Sequence, residues 1–423
     1  MKRALLVAGA FALLAVARFW FVIHPDRARR LFLPGDFGLG VEGFFYHHLK
    51  RGVMPLWDTT LGTGTLFVGG GTHQPTYTIA HLHLFYPLNL LFLGLAERGQ
   101  TIPILALHVQ HVVHYALAGC FAYAYGRSLA LSVPAAFVVG LVYAFSGFFA
   151  SHVSHWTMID TATWLPLVLL LGRRAMEGRT TAAVGGGLAL GAALLAGYPA
   201  YVLLTGLALG LMALWLVAWR FHDAGGRGVG GLVGRLALLG LVGSGVAAIQ
   251  LVPSWQSATT SGQALGDFAF KATGSLPPAA LAGLLMPFPL RSLAWWRSNT
   301  SEYYVYAGAL TLVLVAAALW RVRTRAVGFH ALLGGIGVAL ALGAHLELFR
   351  LLVDLAPGFG YFRYPSRSVL LLSLALATLA GFGLDALRAA TDPREFGALA
   401  GALRRVLVVG LLALLLTLGA LVA

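Results

Sequence analysis

A single cysteine, Cys120, stands among the 423 residues, so no disulfide can form within the chain. Charge is scarce too: 10% of the residues are Asp, Glu, Lys or Arg, against about 25% in an ordinary soluble domain. With 59% hydrophobic residues and a mean hydropathy of +0.81, that deficit excludes a water-soluble fold. Acidic residues are the scarcest charges, 15 against 29 basic ones, and the net charge is +14. No basic cluster interleaved with aromatics accompanies the excess, so it does not point to nucleic acid. Basic cytoplasmic loops of a membrane protein, facing anionic headgroups, account for it. No repeat of fixed period and no hydrophilic domain interrupts the chain.

What is present is a series of apolar runs near the ~20 residues that cross a hydrocarbon core. In lipid the backbone must satisfy itself, as helices or a closed barrel, and continuous rather than alternating runs select helices. The pattern predicts an all-α, polytopic transmembrane bundle of about 11 spans, one integral membrane domain over 1–423. The first span, 4–23, follows Lys2-Arg3 and resembles a signal peptide. It runs on through Phe19-Trp20-Phe21-Val22-Ile23, so it reads as an uncleaved span with its N-terminus in the cytoplasm. A large first extracytoplasmic loop is expected over 24–100, spans 2–7 over 101–253, a further outer loop over 254–302 and spans 8–11 over 303–423. Among these, 236–255, 303–320 and 406–423 read as the seventh, eighth and eleventh spans. Segments 84–96 and 276–290 are apolar, short and Pro-bearing, and read as helices lying at the outer surface.

Polar residues gather on the outer side of this topology. Asp36, in Pro34-Gly35-Asp36, is placed to accept a proton from an incoming hydroxyl at the membrane surface, or is simply part of a turn. Glu42 follows on a helix that would turn it away from Asp36, and Asp58 after Trp57 reads as the N-cap of a short helix. His108, His111 and His114 recur on one broad helix face, as a polar lining of the bundle interior or as metal ligands. His152 and His155, with Asp160 following, sit at the mouth between the third and fourth spans and suit substrate hydrogen bonds. The segment Pro357-Gly358-Phe359-Gly360-Tyr361-Phe362-Arg363-Tyr364-Pro365-Ser366-Arg367 brings two arginines to the end of the tenth span. A guanidinium fork suits phosphate oxygens, although Tyr and Arg also serve as interfacial anchors. Glu302, entering the eighth span from the same side, is expected to pair with one of these arginines.

The succession of PGD, PLWDTTLGTGTLF, HQPTY and FYPLNLLF resembles the first outer loop of the YfhO-like bacterial membrane proteins. SGFFASHVSHWTMIDTATWLPLVLL, GYPAY, SEYYVYAG and PGFGYFRYPSR followed by LAGFGLDAL resemble that family in the same order, from about residue 30 to 387. The resemblance implies the GT-C glycosyltransferase architecture, with sugar passed from a polyprenyl-phosphate carrier to cell-surface polymers such as teichoic acids. It implies Asp36 as catalytic base and matches His152, His155, Glu302, Arg363 and Arg367 to polar positions of the family; these five, with Glu42, Trp57, Asp58, His73, Gln74 and Tyr77, are the expected substrate-binding residues. The chain departs from the family pattern at Trp57-Asp58-Thr59 and at Gly197-Tyr198-Pro199. Members are commonly longer, so the family's C-terminal part is expected to be lacking here.

The reaction expected is an inverting transfer at the outer face of the cytoplasmic membrane. Asp36 takes the acceptor's proton, and Arg363 and Arg367, or a divalent cation such as Mg or Mn, stabilise the departing lipid phosphate. The partners expected are the lipid-linked donor, an envelope polymer or glycan acceptor and membrane lipids, with no nucleic acid. Two other readings stand beside it: a lipid or polysaccharide transporter, and a non-catalytic partner of an envelope glycosylation complex.

Overall fold

The computed structural model describes residues 2–23, 47–53, 57–58, 65–66, 85–90, 104–224, 226, 228–260, 267–285, 301–356, 359–361, 363–389 and 401. Apart from one pair of two-residue strands, these are helices, turns and short extended links. Five helical stretches are long and apolar enough to cross a membrane, Leu105–Ser128, Val133–Ser151, Pro199–Asp223, Val229–Val246 and Pro365–Ala389. Shorter apolar helices cover Ala4–Trp20, Thr180–Leu195, Ala309–Arg321 and Arg325–Ala341. The protein is a helical membrane protein. The expected eleventh span, 406–423, lies outside the described residues.

The chain divides into two compact units, one of Met1–Ala118 with Val153–Asp267, the other of Gly119–His152 with Phe268–Ala423. In chain order the helices are α1 (Lys2–Ile23), α2 (Ile104–Ser128), α3 (Val133–Ala144), α4 (Gly147–Ser151), α5 (Trp156–Met176), α6 (Thr180–Leu195) and α7 (Pro199–Ala224). After them come α8 (Val229–Val246), α9 (Ala248–Thr260), α10 (Phe268–Lys271), α11 (Ala309–Arg321), α12 (Arg325–Ala341), α13 (Glu347–Leu355) and α14 (Val369–Ala389). Strand β1 (Trp57–Asp58) pairs antiparallel with β2 (Thr65–Leu66). Asp58 is therefore a strand residue rather than a helix N-cap: it pairs with Thr65, and Trp57 with Leu66, across the antiparallel ladder.

The first unit is built on α5, α6, α7 and α8. Lipid offers no hydrophobic drive for helix pairing, so small residues that admit close backbone approach decide the contact. Gly187 and Gly191 of α6 do this: an added Cβ would lie 2.6 Å from the Val242 side chain at one and 2.7 Å from Val246 at the other. The last carbonyls of α5 are taken by arginines from two neighbouring helices. Arg235 donates to Ala175 O at 2.6 Å and Arg220 to Met176 O at 2.7 Å. The expected span 236–255 is two helices, α8 and α9, because α8 ends at a cap on Ala247 beyond the glycines Gly243 and Gly245. Of the expected surface helix 84–96, residues 85–90 form a turn with Tyr86 and Asn89 fully buried, and the rest lies outside the described residues.

The second unit is organised around α14, whose residues from Val369 to Gly383 are all buried. Helices α3, α11 and α12 pack on it. Ser132 caps α3, accepting from Ala135 N, and also donates to Asp385 at the far end of α14. The expected surface helix 276–290 is, in its described part, a 3-10 helix over Pro278–Leu284. Leu276 and Ala280 bury themselves in a core with Tyr303, Val305, Ala341 and Val369. Its prolines start the turn, and its small residues let it pack inward rather than lie on a surface. The expected span from 303 begins as an extended link, and helix starts at Ala309.

Candidate functional site

Four of the residues singled out from sequence meet in the second unit. The extended link after Glu302 is tied to the start of α4 by Gly147 N donating to Tyr306 O at 2.6 Å. A Cβ on Gly147 would lie 2.4 Å from that oxygen, so only glycine allows the approach. This brings His152, at the end of α4, to Glu302: His152 Nε2 lies 3.6 Å from Glu302 Oε2. His152 is fixed from behind by Phe148, whose carbonyl is 2.9 Å from Nδ1 and whose ring stacks on the imidazole at 4.7 Å.

Arg367 completes the cluster. Its Nη2 donates to Glu302 Oε1 at 2.6 Å, and its Nε lies 2.9 and 3.2 Å from the two carboxylate oxygens. This is a forked guanidinium–carboxylate pair, as expected for Glu302, and both members are largely buried. Burial pushes the Glu302 carboxyl up, but the Arg367 charge, with help from His152 and the hydrogen bonds, outweighs it and holds the group at about 2.

The turn that carries the arginines is held by residues 273 and 274. Tyr364 N donates to Thr273 O at 3.0 Å and Ser366 N to Gly274 O at 3.3 Å. Tyr364 is left-handed, at φ 63°, and Gly274 sits at φ 75° with its missing Cβ filled by the Tyr364 ring, 2.1 Å from where that atom would be. The ring so placed lies under both guanidiniums, Arg367 at 4.3 Å and Arg363 at 5.3 Å. Arg363 also stands over Phe270 at 4.7 Å. Among the described residues Arg363 has no carboxylate partner. One arginine is thus neutralised in place and the other is presented on two aromatic faces. Ser366, in the same turn, is fully buried and its hydroxyl has no hydrogen-bond partner among the described residues.

The other expected site residues fall in other elements or outside the described residues. His155 begins α5 and belongs to the first unit, on the other side of the boundary from His152. Trp57 and Asp58 form β1. Asp36, Glu42, His73, Gln74 and Tyr77 lie outside the described residues. Among the described residues no three His, Cys, Asp or Glu side chains converge as metal ligands, and Glu302 is engaged by Arg367.

A second polar cluster, in the first unit, had only fragmentary sequence signals. His114 hydrogen-bonds Tyr86 OH through Nε2 at 2.7 Å, and Trp164 donates to the same hydroxyl at 2.9 Å. Its Nδ1 lies 3.3 Å from Asp160 Oδ1 and 2.8 Å from Gln110 O. Gln110 reaches both Asn89 and Asp160 with its amide. The histidines of α2 are all buried, as expected of a lining. His111 is packed among the rings of Phe19, Tyr115 and Trp156, and among the described residues neither ring nitrogen is hydrogen-bonded. The spacing of the histidines was legible, but that Tyr86, Asn89 and Asp160 would close on them was not, since they come from distant segments.

No curated protein matches the sequence. A family model described as bacterial membrane protein YfhO matches residues 11–422. The match takes in α2 to α14 and both polar clusters, so the chain belongs to the YfhO family of bacterial membrane proteins.

Proposed function

We propose that the protein is a glycosyltransferase of GT-C type, a multi-pass enzyme of the cytoplasmic membrane with its N-terminus in the cytoplasm. It moves a sugar from a polyprenyl-phosphate donor to a cell-surface acceptor, a teichoic-acid-like polymer, a glycan or a lipid, on the outer face. Membership of the YfhO family supports the class of activity. The observation that carries the substrate class is the Arg363–Arg367 turn: Arg367 is locked by Glu302, while Arg363 has no carboxylate partner among the described residues and offers its fork to an anion.

In this reading Asp36 takes the proton of the acceptor hydroxyl as its oxygen attacks the anomeric carbon. The bond from that carbon to the phosphate oxygen breaks with inversion, and polyprenyl phosphate leaves with the electron pair. Arg363 stabilises the charge that develops on the phosphate, and the Glu302–Arg367 pair with His152 holds the turn in place. His155, Glu42, Trp57, Asp58, His73, Gln74 and Tyr77 are assigned to binding donor or acceptor. The test is release of labelled sugar from polyprenyl-phosphate donors by protein in nanodiscs. Wild type should release label and Asp36→Asn should not, and undiminished turnover in that variant removes Asp36 from the mechanism.

A second reading, a lipid or polysaccharide transporter, draws on the buried His114–Asp160 contact, since intramembrane ionisable groups often mark ion or proton pathways. It would show as movement of labelled lipid between leaflets with the sugar still attached.

A further inference from the structure

The loop between α12 and α14 contains α13, nine residues long, or about 13 Å at 1.5 Å per residue. That is too short to cross a core of about 30 Å. Of its six apolar side chains only Phe349 is buried in the protein. At 100° per residue, Leu348, Leu351 and Leu355 form one stripe, exposed by 37%, 54% and 73%. Glu347, Arg350 and Asp354 form a second stripe, and Phe349 and Val353 face the remaining side. A helix in water would turn its leucines inward, and a helix wholly in lipid would have no charged stripe. Three distinct faces, protein, apolar and charged, fit a helix lying along a boundary between water and hydrocarbon.

The position of α13 in the second unit supplies that boundary. α14 is long and apolar enough to cross a membrane and α12 is a shorter apolar helix packed on it. The end of α12 and the start of α14 lie together. Leu276 N donates to Ala341 O and Ser366 N to Gly274 O, so one short segment, 274–276, binds both. A Cβ on Gly343 would lie 2.8 Å from Pro365. The loop holding α13 therefore leaves and re-enters at a single end of the two apolar helices, the level at which their surround changes from hydrocarbon to headgroup. Arg350 stands over Phe268 at 4.9 Å and Phe268 in turn lies 6.2 Å from Phe349, so among these contacts the helix is held from its inner face and the edge of its charged stripe, not from its leucine stripe.

We infer that α13 is an in-plane membrane helix whose Leu348, Leu351 and Leu355 face inserts into the outermost acyl region while Glu347, Arg350 and Asp354 remain in water. Its occupant is the bilayer surface itself. Because α13 runs on through Phe359–Tyr361 to Arg363, its seating fixes the depth of the arginine turn. The inference is independent of glycosyl transfer.

The single cysteine makes the test direct. In a Cys120→Ala background, or Cys120→Ser if the first misfolds, a nitroxide is attached at Leu351→Cys, Leu355→Cys, Glu347→Cys or Asp354→Cys. Each protein is reconstituted in phosphatidylglycerol–phosphatidylethanolamine vesicles, and collision with oxygen is compared with collision with a water-soluble nickel chelate. The labels at 351 and 355 should favour oxygen several-fold more than those at 347 and 354. Four labels equally open to nickel would overturn the inference by showing a helix in water. Leucine-site labels closed to both reagents would overturn it by showing that protein covers that face.

Discussion

Glu302 is a carboxylate with almost no access to water, kept ionised by the guanidinium fork of Arg367. Its folded value of about 2 lies below the ordinary 4.5, so it binds its proton more weakly folded than unfolded. The stability this supplies is complete above about pH 4.5 and is lost as pH falls towards 2, an amount of about 3 kcal/mol at 1.4 kcal/mol per unit. Acid unfolding in detergent should therefore show a component in that window that Glu302→Gln abolishes. Glu302→Gln alone removes the carboxylate that neutralises the largely buried Arg367 and should cost about 3–5 kcal/mol. Glu302→Gln with Arg367→Met removes both charges and should cost less than Glu302→Gln alone, in a double-mutant cycle read by thermal unfolding. Equal or greater loss in the double variant would mean that the pair is not what holds the turn. The pairing itself was legible in the sequence, because Glu302 and the arginines fall on the same side of the predicted topology. The role of Gly274 was not, because a glycine in a loop looks like any other until the Tyr364 ring is seen in its place.

At the scale of the element, the same physics sorts glycines that matter from those that do not. Gly187→Val should push α6 off α8, since the added atoms meet Val242 and the Leu239 carbonyl, 2.8 Å from the Cβ position. Gly206→Ala on α7 meets nothing within 4 Å. It should leave stability unchanged or raise it by about 0.5–1 kcal/mol, as a helix interior gains from the swap. Thermal unfolding of the two variants side by side checks the contrast, and a harmless Gly187→Val would refute the close packing. Most long elements, α2, α6, α7 and α12 among them, were legible as apolar runs. The misses have local causes. Hydropathy ran across the cap at Ala247 and merged α8 with α9. Averaging likewise hides α13, because its charged stripe offsets its leucines over nine residues.

At the scale of the whole molecule, the proposed lipid-linked phosphate donor rests on membership of the YfhO family and on the cationic turn at Arg363. The family was legible in the order of its motifs. The convergence of His152, Glu302 and Arg367 was legible only in part, because His152 and His155 are three residues apart yet belong to different units. The most direct measurement is single-turnover release of sugar from a labelled polyprenyl-phosphate donor, comparing wild type, Arg363→Lys and Arg363→Ala in nanodiscs. The account expects release by wild type, a slowing of about 10²–10³-fold in Arg363→Ala, and an intermediate rate in Arg363→Lys, which keeps the charge and loses the fork. Cooperatively melting wild-type protein that releases no sugar from any donor, or an Arg363→Ala variant as fast as wild type, would contradict it.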